Sequence, residues 1–283
     1  MNTLESVVTK NGLTITAPLP DVWRLQTADD AKGVIQTLAA LTGKKPEGAH
    51  AARQLSFEGA VVAAGDGVRV ELTRDGVDFI GSQGEKILEL SRLIQKDHQL
   101  SLEFGLQPEE ALFGAGERFN GVNQRGKKVT VWAEDRWCHT EGNSYTDSQS
   151  ESKQRTRFCI RPNRIITILV KAKQYYLPIP FILSSRNYAV LINRFEASKL
   201  DLGSECPNRW NLTQLDAPLD VYFIFGNQPV DIYAKLVKLW GNPVVPPAWS
   251  WGTLVSRHLH DGDFAAPTGI LEMAAQMAKH DLP

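Results

Sequence analysis

The sequence predicts a mainly β protein, a large antiparallel β-sandwich that gives way to one β/α unit near residue 250. Three observations carry this. Short runs rich in Val, Ile, Phe and Tyr recur from about residue 53 to residue 225, separated by Gly, Asn, Pro or Ser clusters. The segment "GVRVELTRDGVDFIG" alternates with a period of two around an Asp-Gly turn. Past Pro229 the period becomes helical.

The bulk numbers are compatible with this class. At 283 residues the chain is long enough for roughly two domains and a sizeable core. Thirty-one Lys and Arg against 32 Asp and Glu leave a net charge of -1, which gives no global electrostatic case for nucleic acid or an anionic membrane. Three cysteines, Cys138, Cys159 and Cys206, are too few and too odd in number for a disulfide framework, so a reducing cytoplasm is the expected compartment. The N-terminus has no basic region followed by an apolar run, and no stretch of 18 apolar residues occurs. The chain is therefore expected to be soluble and unprocessed.

The elements follow in order. "TADDAKGVIQTLAALTG", residues 27–43, places Val34, Ile35, Leu38 and Leu41 on one helical face, with Asp29 and Asp30 near the start and Gly43 as the stop. In the hairpin, Val68, Val70 and Leu72 share a face, the chain turns through Arg74-Asp75-Gly76, and Val77 and Phe79 resume the strand; Asp-Gly suits a turn with positive φ. "LSLEFGL", "KKVTVWAED", "TRFCIR", "RIITILVKAK", "PIPFILSS", "YAVLINRF", "KLDLG" and "LDVYFIFG" read as further strands. The polar stretch "HTEGNSYTDSQSESKQR", residues 139–155, interrupts them as a long loop, a length at which loops are often functional. "PVDIYAKLVKLWG" is a helix with Ile232, Leu236 and Leu239 on one stripe, Pro229 early and Gly241 at its end. "AWSWGTLVS" then reads as a buried strand, with Trp249 and Trp251 on one face, and "APTGILEMAAQMAKHDLP" as a helix with Ile270, Ala274 and Met277 inward. A lone β/α unit cannot cover both faces of a parallel sheet, so more chain is expected beyond it.

Three segments in this order, "LFGAGERFNG", "YLPIPFILSSRNYAVLINR" and "PPAWSWGTLVSR", resemble the N-terminal half of glycoside hydrolase family 31, the family of α-glucosidases and α-xylosidases. "VTVWAED" between the first two and "DIYAKLVKLWGNP" before the third strengthen the resemblance, which covers roughly residues 100 to 283. It implies a galactose-mutarotase-like β-sandwich followed by a (β/α)8 barrel. Residues 1–52 would be an N-terminal extension with a short helix, residues 53–245 the sandwich, and residues 246–283 the first, truncated β/α unit of the barrel. The implied function is the N-terminal part of a retaining α-glycosidase that hydrolyses α-linked glucosides or xylosides. Such hydrolysis needs two carboxylates about 5 to 5.5 Å apart. In the family both lie downstream of the first barrel strand, so no catalytic residue is carried over and the chain alone is expected to be inactive. The alternative is a stand-alone carbohydrate-binding or interaction module. The implied partner is a carbohydrate substrate, with no cofactor, and an oligomer built through the sandwich is compatible with the family.

The resemblance also names residues. Asp135 of "VWAED" matches an acidic residue on a sandwich loop that reaches the sugar, a task suited to a carboxylate because it accepts two hydroxyl hydrogen bonds; the competing reading is a solvated loop aspartate. Arg257 and His258 fall where the first barrel strand meets its loop, at the catalytic face of such barrels. Arg257 suits an orienting role, and His258 stands at or beside a position where the family often has an aromatic, which leaves the shape of the sugar subsite open. Trp137, two residues after Asp135, is the tryptophan to test for sugar contact; Trp132, Trp210, Trp249 and Trp251 read as packing residues.

Other clusters carry less. His258, His260, Asp261 and Asp263 form an H-x-H-D-x-D pattern, yet no further ligand group supports a metal. Glu117 of "GAGER" follows no βαβ pattern and reads as a buried structural carboxylate bonded to backbone or Arg118. Glu109 and Glu110, being adjacent, point apart and read as a solvated turn.

Overall fold

A computed structural model describes residues 7–8, 13–27, 61–62, 67–96, 99–118, 120–133, 153–161, 164–171, 177–215, 218–242, 244–252 and 267–282. The chain divides into two compact units, Met1–Gly241 and Asn242–Pro283.

The first unit is the antiparallel sandwich. Its strands in chain order are β1 (Val7–Val8), β2 (Thr14–Leu19), β3 (Val22–Gln26), β4 (Val61–Val62), β5 (Arg69–Leu72), β6 (Val77–Ile80), β7 (Lys86–Lys96), β8 (Gln99–Gly105), β9 (Leu112–Gly114), β10 (Lys128–Val131), β11 (Lys153–Arg161), β12 (Arg164–Lys171), β13 (Phe181–Ser184), β14 (Tyr188–Ile192), β15 (Ser198–Asp201), β16 (Arg209–Leu215) and β17 (Asp220–Phe225). One sheet has seven strands in the order β1-β2-β3-β17-β14-β13-β9, and the other has eight in the order β10-β15-β16-β8-β7-β6-β5-β4. β11 and β12 pair with each other as a separate two-stranded ribbon.

The main core comes from the facing sides of the two large sheets, as the period of two requires. Val70, Leu72, Val77 and Phe79 of the expected hairpin are buried in it, opposite Trp23, Val190, Phe223 and Phe225. Phe79 lies between the last two rings, with centroids at 4.8 and 5.1 Å, and Phe104 stacks on Trp210 at 4.2 Å. Each such ring removes enough apolar surface from water to contribute about 1.5 to 3 kcal/mol.

Helix α1 (Pro229–Trp240) covers the outer face of the seven-stranded sheet. Its predicted stripe is the one that packs: Ile232 and Leu236 are buried against Val22, Phe181, Leu191, Tyr222 and Ile224, with Leu239 beside them. This second layer explains why β14 and β17 are buried at every position. A strand covered on both faces reads as a continuous apolar run, as in "VYFIF".

Several expectations change. Residues 14–26, assigned to an extension, are two strands of the seven-stranded sheet; β3 pairs directly with β17, and Ile15, Trp23 and Leu25 are fully buried. β7, β9 and β16 were not among the expected strands. β16, "RWNLTQL", escapes a hydrophobic pattern because Gln214, fully buried, takes an inward position after Trp210 and Leu212 and bonds Ser198 Oγ at 2.9 Å. The Asp-Gly turn does not use positive φ at Gly76. That residue is glycine because a Cβ would lie 1.8 Å from the Leu90 carbonyl oxygen on the neighbouring strand. Residues 28–43 of the expected helix and residues 139–152 of the long loop lie outside the described residues, whereas Lys153 to Arg155 begin β11.

In the second unit, Ala248–Trp251 is a 3-10 helix where a buried strand was expected, and Trp249 and Trp251 are 74% and 75% exposed. The local chemistry favours the turn. Ser250 bonds the Pro247 carbonyl through both its amide, at 3.0 Å, and its hydroxyl, at 2.7 Å, and Gly252 N–H closes on Trp249 at 3.1 Å. Helix α2 (Pro267–Lys279) forms as expected, but Ile270 and Ala274 are exposed and Met277 is only half-buried. Residues 253–266, and with them any barrel strand, lie outside the described residues.

Candidate functional site

The four residues named from the sequence, Asp135, Trp137, Arg257 and His258, all lie outside the described residues, as does the H-x-H-D-x-D cluster. The structure therefore does not bring them together or separate them. What it does describe is the frame from which the first pair follows.

β10 is the edge strand of the eight-stranded sheet, paired to β15 from Lys128↔Asp201 to Val131↔Ser198. Val129 and Val131 point into the core, which sets the alternation of the strand up to Trp132, 47% exposed, and Ala133. Asp135 is two residues further on. The strand is held from the side by Arg118, whose Nε donates to the Ala115 carbonyl and whose Nη2 donates to the Thr130 carbonyl, each at 2.9 Å. One planar guanidinium thus ties the "GAGER" loop to β10, a task for which a fixed fork of donors is suited.

The loop itself has little freedom. Gly114, Ala115 and Gly116 have φ of 108°, 64° and 90°, three successive residues in the left-handed half of conformational space. A Cβ on Gly114 would lie 2.3 Å from the Phe181 carbonyl oxygen, and one on Gly116 would lie 2.1 Å from that of Leu177. The close approach allows Ala115 N–H to bond Phe181 O at 2.9 Å and Glu117 N–H to bond Leu177 O at 3.1 Å. The glycines of this motif serve backbone packing, and Glu117 is exposed, contrary to the buried carboxylate expected there.

The buried carboxylate is Glu110 instead, which was expected in a solvated turn. Glu109 is exposed, whereas Glu110 is 3% exposed. Its Oε1 accepts hydrogen bonds from Ser184 Oγ at 2.5 Å and Tyr188 OH at 2.6 Å, and its Oε2 accepts one from Gln107 N–H at 3.0 Å. Ser184 Oγ in turn accepts from Arg186 N–H at 3.0 Å. Burial, and next the neighbouring Glu110 charge, push the Tyr188 phenol well above its ordinary value. This node holds the start of β9 against the turn between β13 and β14. Its partners are 74 and 78 residues away in sequence, so only the fold reveals it.

A comparable polar node lies on the other side of the sheet. Asp220, fully buried, accepts Arg24 Nε at 2.9 Å, Arg24 Nη2 at 2.7 Å and Asn193 Nδ2 at 2.7 Å. The Arg24 guanidinium also lies over the Tyr222 ring, 5.1 Å from its centroid. Among the described residues no group of three or more His, Cys, Asp or Glu is arranged to hold a metal ion, and no helix is long and apolar enough to cross a membrane.

Comparisons with known proteins agree with this architecture. A family model described as the glycosyl hydrolase 31 N-terminal galactose mutarotase-like domain matches residues 12–147. An α-xylosidase of Emericella nidulans is 27% identical over 207 residues, which are 71% of this chain and 22% of that protein. The α-xylosidase XylQ of Lactiplantibacillus pentosus is 25% identical over 175 residues, 62% of this chain and 18% of that protein. The chain thus spans about a fifth of the length of these curated relatives. Among solved structures, a GH31 dextranase of Flavobacterium johnsoniae complexed with glucose superposes with a TM-score of 0.62 at 16% identity, covering 97% of this chain and 31% of that one. A xylosidase from Aspergillus niger gives 0.60 at 14%, covering 99% and 38%. At these identities the structural likeness shows the fold alone.

Proposed function

We propose that this chain, which carries the N-terminal galactose mutarotase-like domain of glycosyl hydrolase 31, is the N-terminal part of a retaining α-glycosidase acting on α-linked glucosides or xylosides. The observation that carries the reading is the family match over residues 12–147, which spans β2 to β10 and both sheets and runs on through Asp135 and Trp137. The α-xylosidases of Emericella nidulans and Lactiplantibacillus pentosus support an α-xyloside as substrate, and an α-glucosidase of Saccharolobus solfataricus, 22% identical over 181 residues, supports an α-glucoside.

In this reading the sandwich presents a sugar-contacting segment and the chemistry belongs to a barrel. Asp135 accepts hydroxyl hydrogen bonds from the sugar, and the Trp137 ring is the second sugar contact in this reading. Residues 246–283 begin the barrel, with Arg257 orienting and His258 at the mouth. The nucleophile and the acid/base are two carboxylates of that barrel outside residues 1–283, about 5 to 5.5 Å apart in a retaining enzyme. The sandwich frame, clamped by Arg118, supplies a rigid base for the segment.

Aryl α-glucoside and aryl α-xyloside, offered to residues 1–283 and to a longer product of the same gene, test this. The expected result is turnover by the longer protein and none by residues 1–283. In the active protein, Asp135→Asn should lower kcat/KM about 10- to 100-fold, the loss of one or two hydroxyl contacts to a charged acceptor. Turnover by residues 1–283 that survives further purification would sink the proposal, as would a longer protein with no glycosidase activity.

A further inference from the structure

We infer that the sandwich carries a second saccharide site, in a cleft at the end of the sheets remote from the segment that leads to Asp135. The inference rests on the carbohydrate reading above for its ligand class, and on the geometry for its location. The cleft has a volume of about 750 Å³, within the range of ligand-binding pockets. Four connections meet around it: the turn at Asp21 between β2 and β3, residues 81–85 between β6 and β7, residues 185–187 between β13 and β14, and residues 226–228 leading into α1. The strand register places it. β10 leaves its sheet at Val131, level with Ser198, Gln214, Leu100 and Gln95 across the ladder. The cleft lies at the opposite end of β7, beside Lys86, about 30 Å away along the strand.

The walls are braced. Asp21 accepts Val68 N–H at 2.7 Å and Lys235 Nζ at 2.9 Å, which ties both sheets to α1. Lys235 also donates to Phe225 O at 2.6 Å, and Arg186 donates to Ile87 O at 2.7 Å and Lys86 O at 3.0 Å. Asp21 and Asn187, two of the non-glycine residues with positive φ, both line the cleft. With these groups held, the charged groups left to meet a ligand are Glu85, whose carboxylate has among the described residues only the nearby Gln83 amide at 3.1 Å, and Lys238, which has no side-chain hydrogen-bond or ion-pair partner among them. Both are exposed, one on the β6–β7 turn and the other on α1.

The charges select the ligand class. Asp21, Glu85 and Asp231 balance Arg186, Lys235 and Lys238, so the cleft has no net attraction for an anion or a cation. Asp231 bonds the Asn227 and Gln228 amides ahead of α1, at 3.1 and 3.2 Å, and so occupies donors that would otherwise draw an anion. A carboxylate and an ammonium on two different elements need one hydroxyl to donate and another to accept, as the hydroxyls of a neutral sugar do. The site fits an α-linked disaccharide held by hydroxyl contacts, away from the reaction.

Titration of isotope-labelled residues 1–283 with maltose and isomaltose at tens of millimolar, followed by amide chemical shifts, tests this. The shifts of residues 81–87 and 226–238 should move and saturate, and Glu85→Ala and Lys238→Ala, both at exposed positions, should each weaken the effect at least tenfold without changing the melting temperature. No movement in these residues overturns the site, as does movement unchanged in both variants. Movement with inorganic phosphate but not with disaccharide overturns the ligand class. Shifts in a protein whose longer form hydrolyses nothing would overturn the enzymatic reading alone, whereas hydrolysis without the shifts would overturn this site alone.

Discussion

Tyr188 OH donates to Glu110 Oε1 at 2.6 Å inside the sandwich, and neither residue reaches solvent appreciably. The carboxylate takes a second hydroxyl from Ser184 and an amide from Gln107. Removing it leaves two buried hydroxyls without an acceptor. Glu110→Ala should therefore cost roughly 2 to 4 kcal/mol, and Glu110→Gln less, because an amide oxygen still accepts. Urea denaturation of the two variants measures both values.

Alkaline pH should weaken the fold through buried phenols. Burial pushes both Tyr188 and Tyr222 up, reinforced by the charges of Glu110 and Asp220 and opposed at Tyr222 by Arg24. Above about pH 10 an unfolded tyrosine loses its proton while the native one keeps it. The native state then binds more protons, so stability falls as pH rises. Below about pH 9 these groups contribute no slope. Tyr222→Phe should flatten the decline of the urea midpoint between about pH 10 and 12, and leave the region below it unchanged.

Two of the three left-handed residues of the "GAG" loop should respond to substitution by very different amounts. Gly116→Ala forces a Cβ to within 2.1 Å of Leu177 O and 2.7 Å of Ile179 N, both backbone atoms, and should cost more than about 2 kcal/mol. Ala115→Gly relieves a left-handed alanine and adds chain entropy to the unfolded state, so its net change should stay within about 1 kcal/mol. Thermal melts of the pair separate a backbone requirement from a side-chain one.

Asp220 anchors β17 to β3 and β14 through Arg24 and Asn193. Asp220→Ala leaves a guanidinium, 11% exposed, without its bidentate partner, at a cost of about 3 to 5 kcal/mol. Arg24→Met should cost less than Asp220→Ala, because Asp220 keeps Asn193 and the methionine keeps contact with the Tyr222 ring. A double-mutant cycle read by urea unfolding gives the coupling between Arg24 and Asp220.

Where apolar residues alternate in a regular period, local sequence was enough. Val68 to Phe79 form the expected hairpin, and the stripe Ile232, Leu236 and Leu239 packs as the helix pattern required. Reading failed where burial comes from distant partners. Glu110 looks like one of two surface acids because its hydroxyl donors lie beyond residue 180. Residues 14–26 look like an extension because the strand that pairs with them, β17, is about 200 residues away. Trp249 and Trp251 erred the other way. Bulky aromatics suggested a buried strand, yet two prolines and a serine that bonds back to the Pro247 carbonyl close a 3-10 turn instead.

Hydrophobic pattern and local motifs were enough for the class, a β-sandwich with a helix after its last strand, and for the resemblance to the glycosyl hydrolase 31 N-terminal domain whose model matches residues 12–147. Those properties follow from hydrophobic period and local motifs, which act over a few residues at a time. Only the tertiary structure decided that "GAGER" grips β10 through Arg118, that Glu110 is a buried acceptor, and that four turns enclose a charge-balanced cleft. Each of these depends on strands paired across long sequence separations, and that pairing places polar groups where local pattern has no information.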